Sequence, residues 1–218
     1  GQRCSALRVL FVQEDIADRV TAMLRGAMQT LRIGDPADIR TDVGPVIDDD
    51  ARYRLERHVR WLESFATPIH VCELDPAQTA HGSFFAPRAY EIDDITRLEQ
   101  EVFGPILHVV RWRAENLEAV CAAINATGYG LTLGIHSRID DTVAYIVQRV
   151  RVGNTYVNRN VIGAVVGVQP FGGEGLSGTG PKAGGPHYLY RFACERTLSV
   201  ATTASGGNAV LMSLEQPE

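Results

Sequence analysis

Apolar positions follow two different periods along most of the chain. A β-rich run at residues 8–12 is typical of a buried strand. The apolar residues of the next segment recur at three- and four-residue steps, which predicts a helix with one apolar face. Asp15 is the expected N-cap of this helix, and Gly34-Asp35-Pro36 is expected to stop the chain from continuing it. The predicted apolar face consists of Ile16, Val20, Met23, Leu24, Ala27, Met28 and Leu31.

Helices and strands continue to alternate up to residue 157. Helices are predicted over residues 50–64, 117–124 and 142–150, and strands over residues 84–86, 106–110, 132–136 and 155–157. Strands that alternate with helices indicate βαβ crossovers. We therefore expect an α/β fold with a mainly parallel sheet and flanking helices.

The pattern changes after Asn160. Between Gly163 and Gly185 nine residues are glycine, which predicts a loop. Residues 173–178 match the dinucleotide-binding pattern G-x-G-x-x-G, but that pattern has meaning only between a strand and a helix. Because Pro170 precedes the match and Pro181 follows it, we interpret it as a surface loop or as a loop whose N–H groups face an anion.

A second C-terminal feature is the isolated β-rich segment at residues 197–203. An unpaired strand leaves an open edge, so we expect this segment to pair with another subunit of a homo-oligomer. Residues 204–218 carry no clear pattern.

Composition narrows the classes of protein to which the chain can belong. The 218 residues carry a formal net charge of -5, which argues against nucleic acid as the main partner. No apolar run approaches the ~20 residues of a membrane span. The chain begins with Gly1 and has no signal peptide, so we expect a piece of a longer cytoplasmic protein. Four scattered cysteines fit free thiols in a reducing compartment better than a disulfide frame or a zinc site: Cys4, Cys72, Cys121 and Cys194.

Cys4 is the first candidate for chemistry. It stands between Arg3 and Ser5, just before the first predicted strand, and a thiolate beside a cation is a chemically sensible nucleophile. No histidine lies close in sequence to act as its base. The alternative is a small core residue, which is also the interpretation we give the other three cysteines.

Two further segments are polar at turns. In Glu101-Val102-Phe103-Gly104-Pro105 a carboxylate and an aromatic ring flank a Gly-Pro turn and can reach one cleft, where they could meet sugar hydroxyls and a planar ring. Asn158-Arg159-Asn160 follows a predicted strand, where α/β sheets place ligands, but ordinary turn chemistry explains it equally well.

Taken together, separated motifs resemble the aldehyde dehydrogenase superfamily in order and spacing. They are Gly1-Gln2-Arg3-Cys4, Gly34-Asp35-Pro36, Asp42-Val43-Gly44-Pro45, Glu101-Val102-Phe103-Gly104-Pro105 and Pro170-Phe171-Gly172-Gly173. The resemblance covers nearly the whole chain, from the nucleophile loop to the C-terminal oligomerisation strand. Within the superfamily, residues 158–182 resemble the L-glutamate γ-semialdehyde dehydrogenases found in the bifunctional proline utilisation A family.

The resemblance implies a role for each candidate. Cys4 would attack the aldehyde to form a thiohemiacetal, NAD would take the hydride, and the resulting thioester would be hydrolysed to glutamate. The Cys4 N–H would form half of the oxyanion hole. Glu101 would bind the nicotinamide ribose, and Phe103 would lie beside the nicotinamide. The residues expected to contact the substrate are Gly163 and Ala164, through backbone N–H groups on its α-carboxylate, and Ser5, Phe171 and Arg3.

The resemblance also implies parts that these residues do not include. The NAD-binding domain, the general-base Glu, the oxyanion-hole Asn and a proline dehydrogenase half with FAD would all precede the nucleophile loop. We expect residues 1–196 to be an N-terminally truncated catalytic domain, residues 197–218 to be an oligomerisation strand and tail, and the 218-residue piece alone to be inactive. Two alternatives remain: an aldehyde dehydrogenase with another substrate, or a non-catalytic oligomerisation module of the same fold.

Overall fold

The structure is a computed structural model that describes residues 1–165 and 167–201. It contains four α-helices, eight strands and three short 3-10 helices within these ranges. In chain order the α-helices and strands are β1 (Val9–Gln13), α1 (Glu14–Gln29), α2 (Asp49–Leu62), β2 (Thr67–Val71), β3 (Arg88–Ile92), β4 (Ile106–Trp112), α3 (Leu117–Ala126), β5 (Tyr129–Gly130), β6 (Thr132–Ile135), α4 (Asp140–Arg149), β7 (Asn154–Val157) and β8 (Glu174–Gly175).

The main sheet has the strand order β1-β4-β3-β2. β4 lies at its centre and pairs in parallel with both β1 and β3, whereas β2 is an antiparallel edge strand. Pro68 lies within β2, which fits an edge because proline has no N–H for a ladder. A separate pair, β6 and β7, is parallel and connected through α4. The predicted α/β class with mainly parallel strands is confirmed.

The two long helices belong to two apolar cores. Residues of α1, including Ala17 and Met28, pack with Val109 of the central strand. Residues of α2 pack in a second cluster that includes Ile106 of the same strand. The inward positions predicted for α2 are confirmed, since Leu55, Val59 and Leu62 are all buried. The central strand β4 thus contributes to both cores.

The apolar face predicted for α1 is partly wrong. Ile16 and Met23 are 53% and 68% exposed, and the buried positions are Ala17, Thr21 and Met28. The helix therefore faces the sheet about one residue away from the centre of the predicted stripe. Asp15 is not its N-cap; it lies in the first turn, where its carboxylate accepts a hydrogen bond from the Gln13 side chain at 2.7 Å.

The strand predicted at residues 84–86 is also wrong. These residues are buried but form a loop, and the nearby strand is β3, which begins at Arg88. Pro87 explains the shift, since it cannot donate to a ladder, and the first donor after it, the Arg88 N–H, bonds the Pro105 carbonyl at 3.0 Å. β2 was not predicted, because Pro68 interrupts its pattern.

The described residues of the glycine-rich region, 163–165 and 167–185, form no helix, as expected from its prolines. Residues 174–175 form the short strand β8, which pairs with β5. Residues 197–201 are outside any strand, and Leu198 and Val200 are largely exposed, while Thr202 and Thr203 of the predicted oligomerisation strand lie outside the described residues. In the described part of the chain, no helix is both long and apolar enough to cross a membrane.

Candidate active site

Cys4 lies in the loop that leads into β1. The loop turns through a hydrogen bond from the Ala6 N–H to the Arg3 carbonyl at 3.1 Å, and the Cys4 thiol is free and exposed. Among residues 1–165 and 167–201, no acceptor takes the Cys4 N–H and no side chain is hydrogen-bonded to Sγ. The loop thus presents both the thiol and a backbone donor, the two groups that a nucleophile with half an oxyanion hole requires.

The other cysteines differ from Cys4 in their surroundings. Cys72 and Cys121 are buried, and burial raises the pKa of each thiol, which makes both poor nucleophiles at neutral pH. Cys194 is exposed, so its interpretation as a core residue was wrong. Residues 193–201 form no helix or strand, and this stretch gives Cys194 no core against which to pack.

Sheet topology brings the two main motifs together. β1 and β4 are parallel neighbours, with Val9 opposite His108. The segments that precede two parallel neighbours arrive at the same edge of a sheet. The Cys4 loop precedes β1, and residues 101–105 precede β4, so the nucleophile and the Glu101–Phe103 segment meet although they are about a hundred positions apart in the chain.

Arg8 joins these two segments. Its Nη2 donates to the Arg3 carbonyl at 2.7 Å, and its Nη1 donates to the Gly1 carbonyl and to the Gly104 carbonyl, the latter at 3.3 Å. Its Nε lies 3.4 Å from Glu101 Oε1. One guanidinium therefore fixes backbone on both sides of the site, a use of the planar fork that lysine cannot reproduce.

Arg8 also sets the surroundings of Phe103. Its Cζ lies 4.8 Å from the centroid of the Phe103 ring, and that ring remains 42% exposed. Burial lowers the pKa of Arg8, and the neighbouring Glu101 carboxylate opposes that change. Because arginine titrates far above neutral pH, the group stays a cation close to Cys4.

Gln2 makes a second link across the site. Its Oε1 accepts the Ile47 N–H at 2.8 Å, and its Nε2 lies 3.5 Å from the Phe103 carbonyl. Neither Gln2 nor Arg8 was predicted as a site residue. The parallel register of β1 and β4 is the feature that could have identified them, and the sequence does not state that pairing.

Two histidines in contact with each other lie against the backbone of Arg8. His108 is 1% exposed, and its Nδ1 lies 3.1 Å from the Arg8 carbonyl. Its Nε2 lies 2.9 Å from Nε2 of His58. Since a carbonyl only accepts, His108 donates from Nδ1, and His58 therefore donates from Nε2 to His108. The contacts assign one tautomer to each neutral ring.

The histidine pair predicts a pH dependence. Burial, with His108 nearby, lowers the pKa of His58 from 6.5 to about 4, and burial also lowers that of His108. Between about pH 4 and pH 6.5 the unfolded chain therefore binds a proton at His58 that the folded protein does not bind. The contribution of the neutral pair to stability is therefore complete above about pH 6.5 and is lost as the pH falls through about 4.

Imidazole C2–H exchange, followed by peptide mass spectrometry, measures this pKa in the intact native polypeptide. We expect His58 to titrate near pH 4, and the same sequence in an unstructured peptide to titrate near 6.5. Titration of the folded protein at or above the peptide value would contradict the assigned tautomers, because a neutral acceptor ring at His108 requires an uncharged, desolvated pair.

Ser5 connects the nucleophile loop to the glycine-rich region. Its side chain is buried, and its Oγ accepts the Gly163 N–H at 3.4 Å. Gly163 has a φ of 70°, a left-handed conformation that favours glycine. Two predicted substrate residues from distant segments are therefore neighbours in the structure, one directly beside Cys4.

The remaining predicted residues are placed less directly. Ala164 follows Gly163 and is half-buried, and Phe171 is half-buried in a loop paired with Ala183. The Arg3 side chain is exposed, and in the described part of the chain no hydrogen bond joins it to the Gly163 segment. The structure therefore brings Ser5 and Gly163 together but establishes no contact of Arg3 or Phe171 with Cys4.

The Asn158-Arg159-Asn160 segment is a turn. Asn158 has a φ of 53°, and its side chain exchanges two hydrogen bonds with the Ser137 backbone, at 2.9 and 3.0 Å. The Arg159 guanidinium lies 4.8 Å from the centroid of the Tyr156 ring. Of the two interpretations of this segment, the contacts support turn chemistry.

Two cavities meet at Glu101. One, of about 560 Å³, is lined by Cys4 and Arg8 among other residues, and the other, of about 640 Å³, is lined by Gln2 and Phe103. Glu101 lines both. Each volume lies within the usual range for small-molecule sites. The cavity beside Phe103 offers a carboxylate and an exposed aromatic face, which fits a ribose diol and a planar nicotinamide ring.

Comparisons with known proteins agree with this geometry. A bifunctional protein PutA of Escherichia coli is 54% identical to the chain over 200 residues, which are 90% of this chain and 15% of that relative. A variant of Bradyrhizobium japonicum proline utilization A (PutA) has a TM-score of 0.86 at 60% identity and covers 93% of this chain and 20% of its own.

A Thermus 1-pyrroline-5-carboxylate dehydrogenase, solved with bound NAD, has a TM-score of 0.79 at 32% identity and covers 88% of this chain and 36% of its own. The chain thus spans well under half the length of these three proteins. The model of the aldehyde dehydrogenase family matches residues 1–198. The chain belongs to the aldehyde dehydrogenase family.

Proposed function

We propose that the chain is the catalytic-domain portion of an NAD-dependent dehydrogenase that oxidises L-glutamate γ-semialdehyde to L-glutamate in proline catabolism. One observation supports this proposal most strongly: the Cys4 loop is tied through Arg8 to Glu101 and Phe103, and through Ser5 to Gly163. A thiol, a cofactor-facing carboxylate and a backbone donor for an anionic substrate group are thereby assembled around one loop.

The chemistry begins at Cys4. Its thiolate attacks the aldehyde carbon, a C–S bond forms, and the carbonyl π electrons become an oxyanion that the Cys4 N–H stabilises. NAD, when bound, supplies the acceptor for the hydride that leaves this carbon, so that the carbon stays on Cys4 as a thioester. Water then hydrolyses the thioester to glutamate and returns the thiol. The general base for this step is expected from the Glu that the family places upstream of these residues.

Glu101 and Phe103 are the residues of this chain that would hold NAD. Glu101 uses Oε1 toward Arg8 and keeps Oε2 for a ribose hydroxyl. Phe103 would offer its exposed face to the planar nicotinamide ring. The Arg8 Cζ lies 4.8 Å from the centroid of the Phe103 ring. Arg8 thus holds both groups at one place beside Cys4.

Gly163, Ala164 and Ser5 are proposed to bind the α-carboxylate of the substrate. Backbone N–H groups suit an anion, and the Ser5 hydroxyl, now an acceptor for Gly163, can rotate to donate when a carboxylate arrives. Phe171 would pack on the carbon chain, and Arg3 would lie near the same carboxylate.

A substrate comparison tests this assignment in the native polypeptide that contains these residues. Gly163→Pro removes the N–H and cannot adopt the φ of 70°, so we expect the KM for glutamate semialdehyde to rise by about tenfold or more, while oxidation of hexanal, which has no carboxylate, changes little. Gly163→Ala separates the donor from the backbone strain, since a Cβ there is strained at the φ of 70° but meets no neighbour within 4 Å, and the N–H is kept. We expect a smaller rise in KM for this variant than for Gly163→Pro.

An equal rise in KM for both aldehydes would contradict the carboxylate assignment and favour an aldehyde dehydrogenase with another substrate. Absence of all oxidation by the native polypeptide would favour a non-catalytic module of the same fold. A longer native chain with upstream domains, including an FAD-containing proline dehydrogenase half, and a homo-oligomer formed through residues 197–203 remain parts of the same proposal.

A further inference from the structure

We propose that Asn154 and Tyr156 are positioning residues that hold both substrate-facing loops on one strand and thereby set the class of aldehyde that the site accepts. The inference rests on the proposed function, because it concerns the loops assigned to substrate binding. Both residues belong to β7, the last strand before the glycine-rich region.

The two side chains share one face of β7. Asn154 is 9% exposed and Tyr156 is 5% exposed, whereas Val157 is exposed. Side chains two positions apart in a strand point to the same side. A buried amide and a buried phenol in that arrangement each require a hydrogen-bond partner, and the structure gives both of them partners in the substrate loops.

Asn154 fixes the backbone on both sides of Phe171. Its Nδ2 donates to the Pro170 carbonyl at 3.0 Å, and its Oδ1 accepts the Gly172 N–H at 3.2 Å. The neighbouring Gly153 lies directly against this loop, since a Cβ at that position would be 1.7 Å from the Gly172 carbonyl oxygen. The Asn154 amide therefore reaches both of its partners. These two hydrogen bonds fix the backbone of Phe171 from both sides and so set the direction of its side chain.

Tyr156 fixes the peptide between Gly163 and Ala164. Its hydroxyl donates to the Gly163 carbonyl at 2.8 Å, while the Gly163 N–H faces Ser5 Oγ. The carbonyl is thus held from β7 and the N–H is presented toward the nucleophile loop. Loss of the phenol hydroxyl would leave this carbonyl without its partner and free the Gly163–Ala164 peptide, which carries the Ala164 N–H of the proposed carboxylate anchor, to rotate.

One strand therefore sets the spacing between the two loops. Asn154 and Tyr156 are two residues apart, which is about 7 Å along a strand. The Tyr156 side chain holds the proposed carboxylate anchor, and the Asn154 side chain holds the segment proposed to contact the carbon chain. The spacing fixes the distance between the proposed carboxylate anchor and the segment that carries Phe171, so it favours aldehydes that have a carboxylate and a carbon chain at that separation.

Tyr156→Phe in the native polypeptide tests the anchor. We expect the KM for glutamate semialdehyde to rise roughly three- to tenfold, the usual worth of one hydrogen bond, with kcat and the KM for hexanal nearly unchanged. Tyr53→Phe, which changes an exposed tyrosine on α2, is the matched control and should alter neither constant. An unchanged KM for the semialdehyde, or an equal rise for both aldehydes, would overturn the positioning role of Tyr156.

Asn154→Asp tests the second point. It keeps an acceptor for the Gly172 N–H but sets an oxygen against the Pro170 carbonyl, so we expect the KM to rise for both aldehydes, because both have a carbon chain to pack on Phe171. Unchanged KM values would overturn the role of Asn154. The preference of the wild-type protein for the semialdehyde over hexanal tests the proposed function. The ratio of the variant KM to the wild-type KM tests this inference, so the two failures are distinguishable.

Discussion

In the native polypeptide, Cys4→Ala is expected to reduce kcat/KM for glutamate semialdehyde by at least about 10⁴-fold, as removal of a catalytic nucleophile does in other enzymes that work through a covalent intermediate. The reason is chemical, since without Sγ no thiohemiacetal forms and the carbon has no route to a thioester. Initial rates of NADH formation measure the loss. Binding of NAD should be retained, because Glu101 and Phe103 are unchanged.

Cys194→Ala is the matched control for this variant. Cys194 is the other exposed thiol among the described residues, and it lies outside the segments that surround Cys4. We expect its loss to leave the rate within about twofold, as is usual for a surface change away from the site. Substantial activity in Cys4→Ala, or an equal loss in the control, would refute the role of Cys4 as nucleophile.

The second large effect is expected for Arg8→Met, with a fall in kcat/KM of about 10²-fold and a rise in the KM for NAD. Methionine keeps much of the apolar stem but removes the guanidinium from the Arg3 and Gly104 carbonyls and from Glu101. Misplacement of reacting groups by about 1 Å costs this much in well-studied enzymes. Arg8→Lys should recover only part of the rate, because an ammonium cannot fill the same fork of partners.

Arg40→Met serves as the matched control, since Arg40 pairs with Asp38 at the surface and its side chain is 71% exposed. Exposed pairs of this kind contribute little to stability. Circular dichroism and the Tm of each variant show whether the fold is retained. A folded Arg8→Met protein with wild-type kinetics would contradict the account of Arg8, as would full recovery of the rate by lysine.

Local patterns predicted those elements in which periodicity and burial coincide. α2 is an example, because Leu55, Val59 and Leu62 mark its buried face in both the pattern and the structure. α1 shows the limit, since its packing against the sheet selected Ala17 and Thr21, a small and a polar residue that a count of apolar positions passes over. Residues 84–86 are buried but form no strand hydrogen bonds. Apolar character alone does not distinguish a buried loop from a buried strand.

The site divides in the same way. The family resemblance predicted site roles for Cys4, Glu101, Phe103 and Gly163 from their motifs, and the structure brings together the segments that contain them. Arg8 was missed because its partners are up to 96 positions distant and depend on the pairing of β1 with β4. Tyr156 was missed because a tyrosine in a strand resembles an ordinary core residue until the position of the Gly163 carbonyl is known.

The role of Cys4 is tested most directly by identifying the residue that carries the substrate during turnover. The native polypeptide would be mixed with glutamate semialdehyde and NAD, quenched in acid and digested. The mass of each cysteine-containing peptide would then be measured by mass spectrometry. We expect a glutamyl thioester on the Cys4 peptide and none on the peptides of Cys72, Cys121 and Cys194. A thioester on another cysteine, or turnover with no acylated cysteine, would contradict this role of Cys4.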